Sequence, residues 1–225
     1  MGEFGLLLDQ RDPVLAKLLH WRQTACNGGS SRNSRYNPLA MANFKADEVN
    51  DEQRDWIMLR DGGVYLYWRQ EILSDDVDWL KSNGYRIIFF EAAKWQSASD
   101  WESENLMHES LKAQLSFPDY YGKNLNALDE CVLDDLVVPD SGGLALVLNH
   151  YDRFYKPVLN RASDEGSTAA VVLSIFTKAV RYHMLFGRRL LILVQSDDPT
   201  IEFGRLGGAA AWWNHREWLN KNRGL

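Results

Sequence analysis

Two runs of apolar residues that do not alternate with polar ones, Ile87-Ile88-Phe89-Phe90 and Leu144-Ala145-Leu146-Val147-Leu148, constrain the fold of this chain more than anything else in it. A strand with one wet face alternates, whereas an unbroken apolar run suits a strand covered on both faces, as in a parallel sheet. Ahead of the first run, residues 64–69 have a strand-like pattern. A helix is expected after them, with Ser74-Asp75-Asp76 as its N-cap and first turn, Trp79 and Leu80 packed inward, and Gly84 as its stop. Strand, helix and strand with short joins make a βαβ unit, which predicts a parallel pair with a right-handed crossover. The fold class is therefore α/β, a small parallel β-sheet flanked by helices.

Downstream, Leu106, Ser110, Leu111 and Leu115 mark a helix that follows the polar, acidic residues 96–104 and leads into residues 117–136, FPDYYGKNLNALDECVLDDL. The first half of that stretch reads as a loop, because Pro118 fixes its own φ, Asp119 favours turns and Gly122 permits a backbone that bulkier residues resist. The second half reads as a helix. Asn124 is its N-cap, and Leu125, Leu128, Val132 and Leu136 form one apolar stripe. At 100° per residue Asn126, Glu130 and Asp134 point away from that stripe, giving a rigid negative surface, with Tyr120 and Tyr121 beside it as flat contact area. Asp129 falls near the apolar margin, a position for which the pattern supplies no reason. Gly143 opens the next strand, residues 152–160 read as a short helix despite Pro157, and residues 163–186 as a long one that carries Ala169, Val172, Leu173, Phe176, Ala179 and Val180 on one face and ends at Gly187.

The two ends of the chain are expected to be additions. Residues 1–55 form an N-terminal extension with one helix, begun at Asp12-Pro13 and closed at Asn27-Gly28-Gly29, and a Gly/Ser/Asn linker. The helix is either a docked arm or a mobile one. Residues 197–225 form a tail in which AAAWWNHREWLNKN reads as a helix showing Trp212, Trp213 and Trp218.

Charge narrows the function. The net charge of −6 is modest, but residues 100–140 hold ten carboxylates against Lys112 and Lys123. That asymmetry argues against direct binding of nucleic acid and for a cationic partner. No run approaches the ~18 apolar residues of a membrane span, and the N-terminus has acids where a signal peptide has bases, so a cytoplasmic protein is expected. Cys26 and Cys131 show neither a disulfide framework nor metal-ligand spacing. Glu130 and Asp134, one turn apart, are the pair that a carboxylate- or metal-dependent hydrolase would use. No histidine lies in their helix, and His20, His183 and His215 fall in expected helices as packing or surface residues. With no phosphate loop or nucleophile elbow in the sequence, the expectation is no catalytic residue, no metal and no cofactor.

The run Phe-Pro-acid-Tyr-Tyr-Gly-Lys-Asn-Leu-Asn-Ala-Leu, followed by two acids and Cys131, resembles the signature of the barstar family, intracellular inhibitors of secreted ribonucleases. Leu146-Val147-Leu148 with Arg153-Phe154, Ile175-Phe176 and Leu190-Leu191-Ile192-Leu193 follow in the family's order. The resemblance implies a barstar-like domain over residues 56–196 with a family-like core at 86–196. Its sheet would hold three barstar-like strands, to which residues 64–69 add an extra N-terminal one. It also implies partner-binding positions. Tyr120, Gly122 and Asn124 match the family, Asn126 replaces an aspartate, Asp129 replaces a tryptophan, Glu130 lengthens the key aspartate by one methylene, and Lys178 reverses an acidic position. These changes are consistent with a target other than barnase. The function implied is an immunity-type inhibitor that occludes the active site of a secreted or toxin nuclease, a basic ribonuclease above all. A binding module for another basic protein and a carboxylate-dependent hydrolase are the alternatives, and the oligomeric state is left open.

Overall fold

The structure, a computed structural model, describes residues 53–154 and 167–225. The N-terminal helix and linker and the expected helical continuation after residue 154 lie outside the described residues, and elements are numbered within them. In chain order these are α1 (Arg54–Arg60), β1 (Val64–Tyr67), α2 (Gln70–Ser82), β2 (Tyr85–Glu91), a 3-10 turn (Ala92–Trp95), α3 (Asp100–Leu115), α4 (Leu125–Asp134), β3 (Gly143–Asn149), α5 (Tyr151–Phe154), α6 (Thr168–Met184), β4 (Leu190–Gln195), β5 (Trp212–Trp213) and a closing 3-10 turn (Asn220–Arg223). The described residues contain no helix long and apolar enough to cross a membrane.

All five strands are parallel and lie in the order β2-β3-β4-β1-β5. Ile88 faces Leu146, Leu146 faces Ile192, and Leu66 faces Val194. The α/β class is as expected, and residues 64–67 do join the sheet that contains Ile87–Phe90. They do not pair with it, however. β1 lies between β4 and β5, so the connection through α2 passes over two strands rather than joining neighbours. β3 and β4 are buried along their whole length except for Asn149, as the apolar runs demand. β2 is the exception to that reasoning: as an edge strand it leaves Arg86 and Phe89 exposed, and the Lys81 ammonium lies 5.8 Å from the centre of the Phe89 ring.

Three further expectations are corrected. The helix after β1 starts at Gln70, not at Ser74, because the backbone N–H groups of Trp68 and Arg69 are held by the Glu217 carboxylate from the far end of the chain, at 3.0 and 2.9 Å. Asp76 is consequently inside the helix and buried, accepting from Tyr67, Arg54, Asn214 and Arg216. The helix before the central loop begins at Asp100, earlier than its apolar residues mark, because Ser99 caps it by accepting from the Glu102 N–H. Residues 212–213 form an edge strand and not a Trp-rich helix, and His215 lies in a turn. β1 offers an open edge there, and the Asn214 N–H donates to the Leu66 carbonyl at 2.9 Å.

Candidate partner-binding site

The loop between α3 and α4 is bracketed by two residues of left-handed backbone that are not glycine, Ser116 (φ 57°) and Lys123 (φ 47°). Such conformations persist where surrounding contacts over-determine them. Those contacts are present. Tyr121 is buried, lies tilted against Phe117 with ring centres 5.0 Å apart, and hydrogen-bonds the buried His108 Nδ1. Burial holds the Tyr121 phenol protonated and pushes the His108 imidazole down. The phenol therefore donates to a neutral ring, whose Nε2 faces Glu104 at 3.5 Å. Lys123 pairs with Glu109 at 2.9 Å, and Lys112 reaches Asp119 at 3.5 Å.

Asn124 caps α4 as its sequence position requires, its Oδ1 accepting from the Ala127 N–H at 2.9 Å while its Nδ2 donates to the Gly122 carbonyl. Gly122 does not supply the left-handed residue that the sequence suggests; Lys123 does. A Cβ on Gly122 would stand 3.0 Å from the Asn124 amide nitrogen, so the glycine leaves room for the cap. Leu128, Val132 and Leu136 are buried and α4 packs on α6, which leaves Asn126, Glu130 and Asp134 exposed on one face. The Asp134 carboxyl is held above its ordinary range, first by partial burial and then by Asp135 and Glu130; the Tyr182 phenol, which hydrogen-bonds it, opposes this in part.

The structure brings Tyr120, Asn126, Glu130 and Asp134 to the outside of the loop and helix and gives the other expected residues different work. Tyr121 is a core residue rather than a second contact surface. Lys178, on α6, reaches both oxygens of Asp129, at 2.6 and 2.9 Å, which explains an acid at the margin of the apolar stripe. Sequence reasoning passed over Asp135 as a site residue. Both of its carboxylate oxygens accept from the Tyr120 hydroxyl, at 2.7 and 2.6 Å, and the phenol is pushed up to about 12, chiefly by that hydrogen bond. The same carboxylate accepts from the buried Cys131 thiol, which burial above all raises to about 12. A signal for it existed: Asp134 and Asp135 stand at a helix C-terminus, where the helix dipole favours bases, and the last turn of α4 holds none.

The arrangement has the features of a docking surface: a short, capped helix with outward carboxylates, flanked by an aromatic ring whose loop is fixed from beneath. Residues 97–195 match the barstar family, described as barnase inhibitor. The match begins after β2, although β2 pairs with β3 along all seven of its residues. A protein of Bacillus subtilis (strain 168) that carries the name "Putative ribonuclease inhibitor YrdF" is 42% identical over 53 residues, which are 24% of this chain and 54% of that protein. The chain thus spans about half the length of that relative.

Proposed function

We propose, from the match of residues 97–195 to the barstar family, that the chain is an immunity-type inhibitor, acting in the cytoplasm, which binds a basic secreted or toxin ribonuclease and occludes its active site with α4 and the loop before it. The observation that carries this reading is the outward face of α4. Glu130 and Asp134 are exposed one turn apart, and among the described residues neither forms an ion pair within the chain. A ribonuclease cleft is lined with cations that hold phosphate. Carboxylates on a rigid helix stand in for the phosphate oxygens, and the tyrosine beside them supplies contact area that costs little entropy to order. The complex of barnase with barstar, in which charge steers association and close charge pairs across the interface are strongly coupled, is the precedent for the energetics.

The test is inhibition of a panel of basic secreted ribonucleases, barnase among them, by the parent and by Glu130→Ala. The substitution should leave the melting temperature in place, because exposed alanine is a good helix former. It should weaken binding by ~2–5 kcal/mol, the effect of stranding a desolvated cation. Association of the parent should also slow as salt rises, since at ~0.15 M the Debye length is only about 8 Å. Equal affinity of Glu130→Ala and parent, within about twofold, or an association rate flat across salt, overturns the assignment of α4 as the docking helix.

A further inference from the structure

We infer that Asp135 is a positioning residue: it latches the exposed Tyr120 ring to the C-terminal end of α4, so that a partner meets an aromatic surface already in place. This deepens the inhibitor reading and rests on it for the partner, though not for the latch. Tyr120 is 73% exposed, and a ring so open to solvent ordinarily samples several rotamers. Here its hydroxyl is held by both oxygens of one carboxylate fifteen residues away. The loop carrying it is fixed at its other side by the buried Tyr121 and, at its ends, by left-handed Ser116 and Lys123.

A carboxylate at this place has a local cost. Asp135 is the C-cap of α4, next to Asp134 and one turn beyond Cys131, so it faces the negative end of the helix dipole and the like charge of Asp134. A residue that breaks a local rule without stabilising its own helix is expected to do so for a function. The gain lies in ordering: an immobilised side chain costs about 0.5–1.5 kcal/mol on binding, and holding it beforehand removes that cost, a factor of ~2 to ~10 in affinity.

The experiment compares parent, Asp135→Ala, Asp135→Asn, Tyr120→Phe and the double variant Tyr120→Phe/Asp135→Ala. Ring order and the phenol titration of Tyr120 are followed by NMR, stability by thermal melting, and binding by titration with barnase, the probe that the family description supplies. Asp135→Ala should keep or raise the melting temperature, free the ring, and return the phenol from about 12 toward the ordinary tyrosine value near 10. Its barnase affinity should fall about twofold to tenfold. Asp135→Asn, whose amide oxygen still accepts from the phenol, should restore ring order and most of the affinity. In a Tyr120→Phe background, Asp135→Ala should have no further effect. An unchanged ring and titration in Asp135→Ala overturns the latch, as does unchanged affinity of that variant where the parent binds. If the parent does not bind barnase but inhibits another ribonuclease of the panel, that enzyme takes barnase's place and the same outcomes decide. If it inhibits none, the inhibitor reading fails, and the ring measurements alone uphold or overturn the latch.

Discussion

Two charged side chains on the candidate face are neutralised within the molecule, and this sets its character residue by residue. Lys178 crosses from α6 to hold Asp129, and its side chain remains 55% exposed. A pair so open to water contributes little to stability, about 0–1 kcal/mol. Its consequence is electrostatic. The Asp129 carboxylate is balanced, and the carboxylates left without a cation along and just past the helix are, among the described residues, Glu130, Asp134 and Asp135. A double-mutant cycle of Asp129→Asn and Lys178→Met, read by urea denaturation, should give a coupling energy below ~1 kcal/mol. A coupling above ~2 kcal/mol would show the pair to be a structural strut, and the charge-confining account would fail.

At the level of elements, two buried histidines join the helices that carry the site to the rest of the fold. His108 of α3 takes the Tyr121 hydroxyl, and His183 of α6 donates from Nε2 to the Val132 carbonyl of α4 at 2.8 Å. Burial pushes both imidazoles down, so the folded chain resists protonation where the unfolded chain accepts it. Stability should therefore be full above the unfolded value near 6.5 and be lost as pH falls below it, by up to ~1.4 kcal/mol per unit for each histidine. Asp134, held above its usual range, works in the opposite direction, but only lower down, among the carboxylates. Chemical denaturation of the parent between pH 7.5 and 5 checks this, with His183→Gln expected to flatten the slope; a flat profile in the parent would rule it out. These elements also show what a sequence discloses. The Asn124 cap, the stripe of Leu128 and Val132 and the apolar runs of β3 and β4 are local or periodic, and they were legible. The start of α2 was not, because Glu217, 148 residues from Arg69, holds the N–H groups of the two residues just before it. β5 was missed for a related reason: helical propensity in AAAWW yields to the unpaired edge of β1, which only the folded sheet presents. Tyr121 and Tyr120 are adjacent and alike in sequence, and only the loop's packing sends one into the core.

For the molecule as a whole, the family match ends at residue 195, while the fold does not. The last fourteen residues complete the sheet with β5, place the buried Asn214 at 2.6 Å from the buried Asp76, and bring Arg216 to 3.0 Å from the same carboxylate. They also bury Glu217 against the Trp68 and Arg69 N–H groups, and they stack Arg223 over Trp213 at 4.4 Å. A chain shortened to end at Asp198 would keep Arg54 and Tyr67 on Asp76 but lose its other two partners, open the edge of β1, and leave two backbone donors at the start of α2 without acceptors. Each such orphaned donor costs about 1–3 kcal/mol, and the lost partners of the buried Asp76 and the lost packing on β1 add to that, against a total stability of only ~5–15 kcal/mol for a domain. The shortened chain is expected to be unfolded or aggregated at 25 °C even though every residue of the family match is present. Glu217→Ala alone should lose about 1–3 kcal/mol while keeping the fold, since it leaves the Trp68 and Arg69 N–H groups without their acceptor but strands only a half-exposed arginine. Circular dichroism with urea titration of both variants decides the matter: a shortened chain that unfolds cooperatively at the parent's midpoint would mean that the tail is an appendage and that the family boundary is also the folding boundary.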